Sequence, residues 1–272
     1  MLEQLKYKNH MNEVIDFGRN GIFAMASDLH DYSWTVVQKN NRITGFQREV
    51  TTRTLPVTIL CGTVAEGVAA RNRLMEVAER DVLAKQPGKI IIGDYYFECY
   101  ITASKKSSYL KTRRLMETSL TITSDKGYWV KENLHSFRKA GAAGQGLDYE
   151  FDFAYDYTSD FLLSSLNNTD FTASNFRMIL YGPCSDPAVY VAGHAYTVNC
   201  DVGTGEYLTI DSGAKTVTRV AADGTVINEF NQRGRNQYVF EKIPAGNNTI
   251  SWNGDFDVDV ILLEERSEPK WT

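Results

Sequence analysis

Residues 89–103 have the sequence KIIIGDYYFECYITA. Two strongly apolar runs flank the pair Gly93-Asp94, and this pair tolerates the positive φ angles of a two-residue β-turn. We therefore predict a hairpin of two antiparallel strands, Lys89–Gly93 and Tyr95–Ala103. Further strands are predicted on either side of this hairpin, at Ser33–Gln38, Thr54–Leu60 and Arg114–Thr123. The first part of the chain is thus predicted to be mainly β-structure.

One helix is predicted just before this hairpin. Thr63-Val64-Ala65-Glu66 fits a capping box, in which the Thr63 oxygen accepts from the first turn and Glu66 reaches back. The apolar stripe consists of Ala70, Leu74, Val77 and Ala78, with Met75 and Val82 on its flank. The charged side consists of Arg71, Arg73, Glu76, Glu79 and Arg80. Pro87 and Gly88 are expected to end the helix.

Two features of the predicted strands bear on how the first part associates. Pro56 has no backbone N–H to donate, which places the strand Thr54–Leu60 at a sheet edge or at a bulge. A basic run follows the hairpin and consists of Lys105, Lys106, Lys111, Arg113 and Arg114. This run is interpreted either as a docking loop for an acidic surface or a phosphate backbone, or as a solvated hairpin arm.

The segment from Tyr149 to Tyr157 alternates aromatic residues with mostly acidic ones. Its aromatic positions are Tyr149, Phe151, Phe153, Tyr155 and Tyr157. Because side chains alternate faces along a strand, this pattern predicts a strand with one aromatic and one acidic face. The small residues Ala140–Gly146 indicate a hinge before it. The strip is either the first strand of a second domain, with its rings in that core, or a connector to a neighbouring body.

Short strands at regular spacing, and no long helix, are predicted after residue 148. They are Asn175–Tyr181, Ala188–Ala192, Ala195–Cys200, Tyr207–Asp211, Thr216–Val220, Thr225–Phe230, Gln237–Phe240, Asn248–Trp252 and Phe256–Leu263. Turn residues separate them, which is typical of an antiparallel β-sandwich. In the last strand, Phe256, Val258, Val260 and Leu262 share one face and are expected in the core.

Composition supports a two-part chain. Residues 1–132 carry 19 Lys and Arg against 15 acidic residues, a net +4, whereas residues 133–272 carry 10 against 19, a net −9. Opposite signs would help one copy dock against another, and the lack of a concentrated basic field argues against nucleic-acid binding. No run approaches the roughly 18–20 apolar residues of a membrane span. Met1–Lys6 has no apolar signal sequence, so a cytosolic protein is expected.

The sequence contains no phosphate-binding, hydrolase or metalloprotease motif. The cysteines, Cys61, Cys99, Cys184 and Cys200, match no zinc spacing and are expected to be buried thiols. His30 lies near Asp28 and Asp31, a weak metal or acid–base pattern that suits a surface loop. Alternating carboxylates, at residues 148–152 and 255–259, would stand about 7 Å apart, too far for one calcium ion. We therefore predict no enzyme activity, no catalytic or metal residues and no cofactor.

A sugar site is a further alternative for a sandwich domain. Such sites combine a stacking aromatic with a few polar groups, and Trp252 with Asn253 is a candidate. A tryptophan buried in the core at a strand end fits the same residues.

Several segments resemble the distal tail (Dit) proteins of long-tailed, non-contractile phages. They are Arg53–Ile59, the helix Ala65–Lys85, Gly88–Ile101, Tyr149–Tyr157 with its final Tyr155-Asp156-Tyr157, Asn175–Arg177 to Tyr181–Pro183, and Ile243–Ile250. Their shared order and spacing make the resemblance fairly specific, and it covers most of the chain.

The resemblance implies a mostly β fold with one α-helix in the N-terminal domain. Residues 1–132 would form a ring-building β-barrel or sandwich, 133–147 a linker, and 148–272 an antiparallel β-sandwich similar to galectins and carbohydrate-binding modules. The galectin pattern itself fails, because His194 is followed by Ala195-Tyr196-Thr197-Val198-Asn199.

The implied function is that of a structural virion protein at a phage tail tip, assembled in the host cytoplasm. It would form a homo-hexameric hub that joins the tail tube protein to a tail-associated hub or fibre protein and to receptor-binding proteins of the baseplate. No nucleic acid or membrane partner is implied. The alternative is a carbohydrate-binding adhesion module of a virion or cell surface.

Overall fold

The computed structural model describes residues 4–24, 27–108, 114–139 and 162–270. It divides the chain into two compact units, Met1–Lys131 with Glu265–Thr272, and Glu132–Glu264. Both units are built from strands, with one α-helix among the described residues, which confirms the predicted fold class. The aromatic strip Tyr149–Tyr157 and the hinge before it lie outside the described residues.

The first unit contains strands β1 to β10, one α-helix and the start of β11. The strands before the helix are β1 (Leu5–Lys8), β2 (Val14–Asp16), β3 (Gly18–Arg19), β4 (Ile22–Ala24), β5 (Thr35–Lys39), β6 (Arg42–Gln47) and β7 (Thr51–Leu60). Helix α1 (Val64–Ala84) follows, and then β8 (Gly88–Ile92), β9 (Tyr95–Ser108), β10 (Leu115–Ser124) and β11 (Trp129–Phe137). A short 3₁₀ helix lies at Ser27–His30.

Strand β9 organises this unit because it pairs with different neighbours along its length. Its first half pairs with β8, from Gly88 opposite Cys99 to Ile92 opposite Tyr95. The intervening turn is Gly93-Asp94, with Gly93 at φ +56°, so the predicted hairpin is confirmed. The second half of β9 pairs with β10, which pairs in turn with β7. Strand β1 adds to β8, and β4 adds to β7.

Helix α1 begins and ends as its sequence predicts. Thr63 Oγ1 accepts from the Glu66 backbone N–H at 3.2 Å, and Glu66 Oε2 accepts from the Thr63 N–H at 3.1 Å. Two orphan donors of the first turn are thereby satisfied. Leu74 is fully buried in the same core as Ile90, whereas Val82 is exposed. The helix packs this face against β7 and β9.

Leu74→Ala is expected to lower the free energy of unfolding by roughly 2–5 kcal/mol, because a buried leucine leaves a cavity. Glu79 lies on the exposed side of the same helix, so Glu79→Ala should cost less than about 0.5 kcal/mol. Chemical denaturation of the two variants measures the difference. Equal losses would contradict this assignment of the helix faces.

Strand β7 is paired unequally on its two sides. On one side β10 pairs along its whole length, from Leu60 opposite Leu115 to Thr51 opposite Ser124. On the other side β4 pairs only with Val57–Ile59. Pro56 lies just beyond this shorter ladder, where its missing N–H breaks no pairing with β4.

The second unit contains strands β12 to β22. They are β12 (Leu162–Asn168), β13 (Asn175–Tyr181), β14 (Cys184–Ser185), β15 (Ala188–Val191), β16 (His194–Thr197), β17 (Asp201–Val202), β18 (Tyr207–Asp211), β19 (Thr216–Val220), β20 (Val226–Asn228), β21 (Gly246–Trp252) and β22 (Val258–Arg266). A short 3₁₀ helix lies at Phe230–Gln232. The chain passes between the units within β11 and β22.

Nine of these strands form two antiparallel sheets around one core, and β14 and β17 form a separate two-stranded pair. One sheet has the order β20-β19-β18-β13-β22 and the other β12-β21-β15-β16. Phe256, Val258, Val260 and Leu262 are buried in the core, as their alternation predicts. The bounds of β13, β18 and β19 match the predicted strands Asn175–Tyr181, Tyr207–Asp211 and Thr216–Val220.

Two details differ from the expectations. Gln237–Phe240 is not a strand, because Val239 and Phe240 are buried side by side in a turn closed by the Glu241 N–H to Tyr238 carbonyl bond of 3.0 Å. Adjacent buried residues do not alternate as a strand requires. Residues 133–137 of the expected linker belong to strand β11.

Candidate assembly surface

The hairpin of β5 and β6 is exposed along nearly its whole length. The two strands pair with each other, from Thr35 opposite Gln47 to Lys39 opposite Arg42, and with no other strand that the structure describes. Every residue of β5 is exposed. Isolated two-stranded hairpins are marginal in water, so this one needs support at its base or from a partner.

One face of the hairpin is apolar. Val36 stands opposite Phe46, and Gln38 stands opposite Ile43. Val36, Ile43 and Phe46 are 41%, 60% and 61% exposed, respectively. A bulge between Val37 and Gln38 brings Ile43 to this face, and the opposite face carries Thr35, Val37 and Gln47. A row of large apolar side chains this exposed is typical of a surface that another protein covers.

Arg48 holds the base of the hairpin. Its guanidinium lies 4.4 Å from the Trp34 ring centroid and 4.8 Å from that of Tyr128. Arg48 Nη2 also donates to Ser267 Oγ at 3.4 Å. Burial lowers the pKa of this guanidinium, and the nearby Glu265 carboxylate partly offsets that effect. The stacked cation therefore anchors the base of the hairpin, while its strands project.

A cleft of about 520 Å³ opens elsewhere in this unit, between the strands β2–β4, the end of β7 and helix α1. Phe23 and Leu60 are 44% and 53% exposed in its wall. Its charged lining residues are Asp16, Arg19, Glu66 and Arg73. The cleft thus combines apolar walls with charges of both signs.

A buried carboxylate joins β1 and the turn after it to helix α1. Asp81 is 0% exposed and accepts from the Tyr7 hydroxyl at Oδ2. Its Oδ1 accepts from the His10 backbone N–H at 3.0 Å and lies 2.5 Å from His10 Nδ1. Burial is the larger cause, and the hydrogen bond to Asp81 the smaller cause, of a Tyr7 pKa that lies well above its ordinary value. The Tyr7 hydroxyl therefore stays protonated and donates.

Gly88 is required beside this cluster. A Cβ at residue 88 would lie 2.5 Å from the Tyr7 hydroxyl oxygen, closer than van der Waals contact allows. No role was predicted for Asp81, because a carboxylate is expected in solvent. The available signal was its helical spacing, since Asp81 lies seven residues after Leu74 and four after Val77, on the buried face of the helix.

The candidate sites considered from sequence are placed as follows. His30 is buried at the end of the 3₁₀ helix, not on a surface loop. Across the described ranges, no group of three His, Cys, Asp or Glu residues could hold a metal ion. Trp252 is 2% exposed and donates its indole N–H to the Phe256 carbonyl at 2.9 Å, so it is a core residue and not a sugar platform. No helix in the described part is long and apolar enough to cross a bilayer.

The four cysteines are free thiols. Cys61 and Cys99 are buried as expected, whereas Cys184 and Cys200 are half-buried. Burial raises the pKa of Cys184 and of Cys200 to about 11.

This raised pKa predicts slow alkylation of the folded protein. At pH 8 only about one thiol in a thousand would be ionised at such a pKa, and the thiolate is the reactive form. Iodoacetamide should therefore label Cys184 and Cys200 far more slowly in native protein than in urea, as read by peptide mass spectrometry. Labelling at the same rate in both conditions would contradict the burial.

Solved structures share this architecture. The chain matches the crystal structure of the SPP1 Dit protein, described as a paradigm of the hub adsorption apparatus in phages that infect Gram-positive bacteria, with a TM-score of 0.60 and 8% identity. The match covers 97% of this chain and 99% of that one. The chain has a Dit fold.

Two baseplate structures support the same Dit fold. Chains of the phage p2 baseplate in its activated conformation, with calcium and with strontium, match with TM-scores of 0.62 and 0.64 at 14% and 15% identity. Each match covers 99% of this chain and all of the other. No protein-family model matches the sequence, and no curated protein is significantly similar to it. The Dit resemblance predicted from the order of short sequence segments is therefore confirmed by the structure, at an overall identity of only 8–15%.

Proposed function

We propose that this protein is a structural component of a phage tail tip, where six copies form a ring. The observation that carries the proposal is the Dit fold over nearly the whole chain, shared with a hub protein and with baseplate chains. The ring would join the tail tube protein to the tail-associated hub or fibre protein and to receptor-binding proteins. It would act through assembly, without enzyme activity, in a particle put together in the host cytoplasm.

The first unit is the proposed ring-builder. Its β5–β6 hairpin presents the apolar face of Val36, Ile43 and Phe46, which needs a covering partner. Its cleft, with Phe23 and Leu60 in the wall, offers an apolar receiving surface. A projecting element and a separate receiving surface on one subunit make a heterologous contact, which builds a ring when the rotation between neighbouring subunits closes on itself.

The mass of the full-length protein in solution tests this proposal. Light scattering at micromolar concentration and above should give six times the 30.7 kDa chain mass, and electron micrographs should show sixfold rings. A protein that stays monomeric at every concentration, and forms no ring in purified particles, would contradict the proposed hub.

A further inference from the structure

The second unit carries a polar and aromatic surface that the tail-hub function does not use. Strands β13, β18 and β22 bury Met178, Leu180, Leu208, Val258 and Val260 on one side. Their other side, which we call the outer face, carries Tyr181, Tyr207 and Asp259 around one point. Register places them there, because Tyr181 stands opposite Tyr207, and Asp259 stands opposite Ile179.

The two tyrosine rings form an amphipathic platform. Their centroids are 6.3 Å apart and their planes are inclined by 47°. Tyr207 is 36% exposed, and Tyr181 is half-buried beside it. Tyrosine rings present an apolar face together with a polar tip, which suits ligands that combine C–H groups with hydroxyls.

A carboxylate with an unused oxygen lies against this platform. Asp259 Oδ2 accepts from the Tyr181 hydroxyl at 2.9 Å, which orients the ring. Asp259 Oδ1 is buried and accepts no hydrogen bond. Buried acceptors in native proteins are nearly always paired with a protein group or an ordered water, so this oxygen can accept from a water or from a ligand hydroxyl that replaces it. Burial and the bond to Asp259 raise the pKa of Tyr181, so its hydroxyl remains the donor of this pair.

A second carboxylate and a cation complete the surroundings. Asp257 accepts from the Lys139 backbone N–H at 2.7 Å and lies 3.6 Å from Arg138 Nη1. Arg138 and Asp257 keep 65% and 32% of their side chains exposed, respectively. The tyrosine pair is therefore flanked by carboxylate acceptors and by the Arg138 donor. Neighbouring charges of both signs disfavour a ligand that carries a strong charge of its own.

We propose that the outer face around Tyr181, Tyr207 and Asp259 binds a neutral saccharide. A pyranose would lay its C–H face on the Tyr207 ring and donate one hydroxyl to Asp259 Oδ1, after a small movement of the side chains that cover this oxygen. The site lies on an open sheet face rather than in a cavity. Such an open face can contact one or two sugar units of a longer glycan. Binding is expected to be weak, with a dissociation constant on the order of millimolar.

Saccharide binding by the full-length protein tests the proposal. The probes are cellohexaose, chitohexaose and mannohexaose, and binding is followed by saturation-transfer difference NMR up to about 20 mM sugar, which covers the millimolar range. At least one probe should bind. Tyr207→Ala should weaken that binding by about tenfold or more, since it removes the exposed ring. Asp259→Asn, which keeps the shape but not the charge, should also weaken it.

Tyr238→Ala is the matched control. Tyr238 is an exposed tyrosine of the same unit, in the turn region 235–240 away from the three strands, so its loss should leave sugar binding unchanged. Thermal melting of each variant shows whether the fold is kept. Because Tyr207 is exposed, Tyr207→Ala should melt like the parent protein.

Four results would overturn the proposal. They are binding of none of the three sugars, binding unaffected by Tyr207→Ala, equal loss in Tyr238→Ala, and binding of tetramethylammonium in place of the sugars with the same dependence on Tyr207. The last result would show a cation site. Ring formation by Tyr207→Ala is measured separately, so a failure of the sugar site leaves the proposed hub function standing.

Discussion

Asp81→Ala is expected to lower the free energy of unfolding of the first unit by about 2–4 kcal/mol, the sum of roughly 1–3 for a buried hydroxyl left without an acceptor and roughly 1 for the lost bonds to His10. The substitution leaves the fully buried Tyr7 hydroxyl without its acceptor and removes the bonds to His10. The Tyr7 hydroxyl contributes the larger part of this lost free energy, because no hydrogen bond then offsets the cost of removing it from water. Hydrogen exchange of helix α1 in the full-length protein measures the effect locally.

Arg80→Ala is the matched control for this prediction. Arg80 is the preceding residue of the same helix and pairs with Glu13 at 2.6 Å, but both side chains are well exposed. Exposed ion pairs contribute little, so exchange in helix α1 should hardly change. Comparable losses in the two variants would show that Asp81 does not act as a buried anchor.

Phe46→Glu combined with Ile43→Glu is expected to abolish ring assembly without unfolding the subunit. Both side chains are about 60% exposed in the single chain, so the charges cost little there. In a ring they would be desolvated, and losing such apolar anchors costs about 2–4 kcal/mol each at an interface. Light scattering should then report a monomer at concentrations at which the parent protein is assembled.

Gln47→Glu separates the apolar face from a general effect of charge. Gln47 follows Phe46 on the same strand, is exposed, and points to the opposite face of the hairpin. It should assemble as the parent does. Rings that persist in the double variant would mean that the β5–β6 hairpin does not form the subunit contact.

Features that depend on neighbours in sequence were predictable. The capping box of Thr63 and Glu66 forms because both groups belong to one helical turn. The Gly93 turn follows from the φ angle that a short hairpin requires. The strand Tyr207–Asp211 follows from its two-residue period.

Features that depend on distant partners were not predictable. Asp81 is buried because Tyr7 and His10, more than seventy residues away, complete its hydrogen bonds. Helical spacing places Asp81 on the buried face with Leu74 and Val77, but a carboxylate without those partners would belong in solvent, so its charge argues against burial. The exposure of the β5–β6 hairpin was not predictable for the same reason. Alternation predicts a strand, but it does not show that β5 and β6 pair only with each other among the described strands.

The outer face of the second unit shows the same division. Alternation along each strand correctly predicts which residues of β22 enter the core, because a strand has only two faces. It leaves open which strands lie side by side, and in what register. Tyr181, Tyr207 and Asp259 meet only because β18 and β22 flank β13 in one register. That pairing is fixed by packing of the whole core, and a shift of one residue would turn each side chain to the other face.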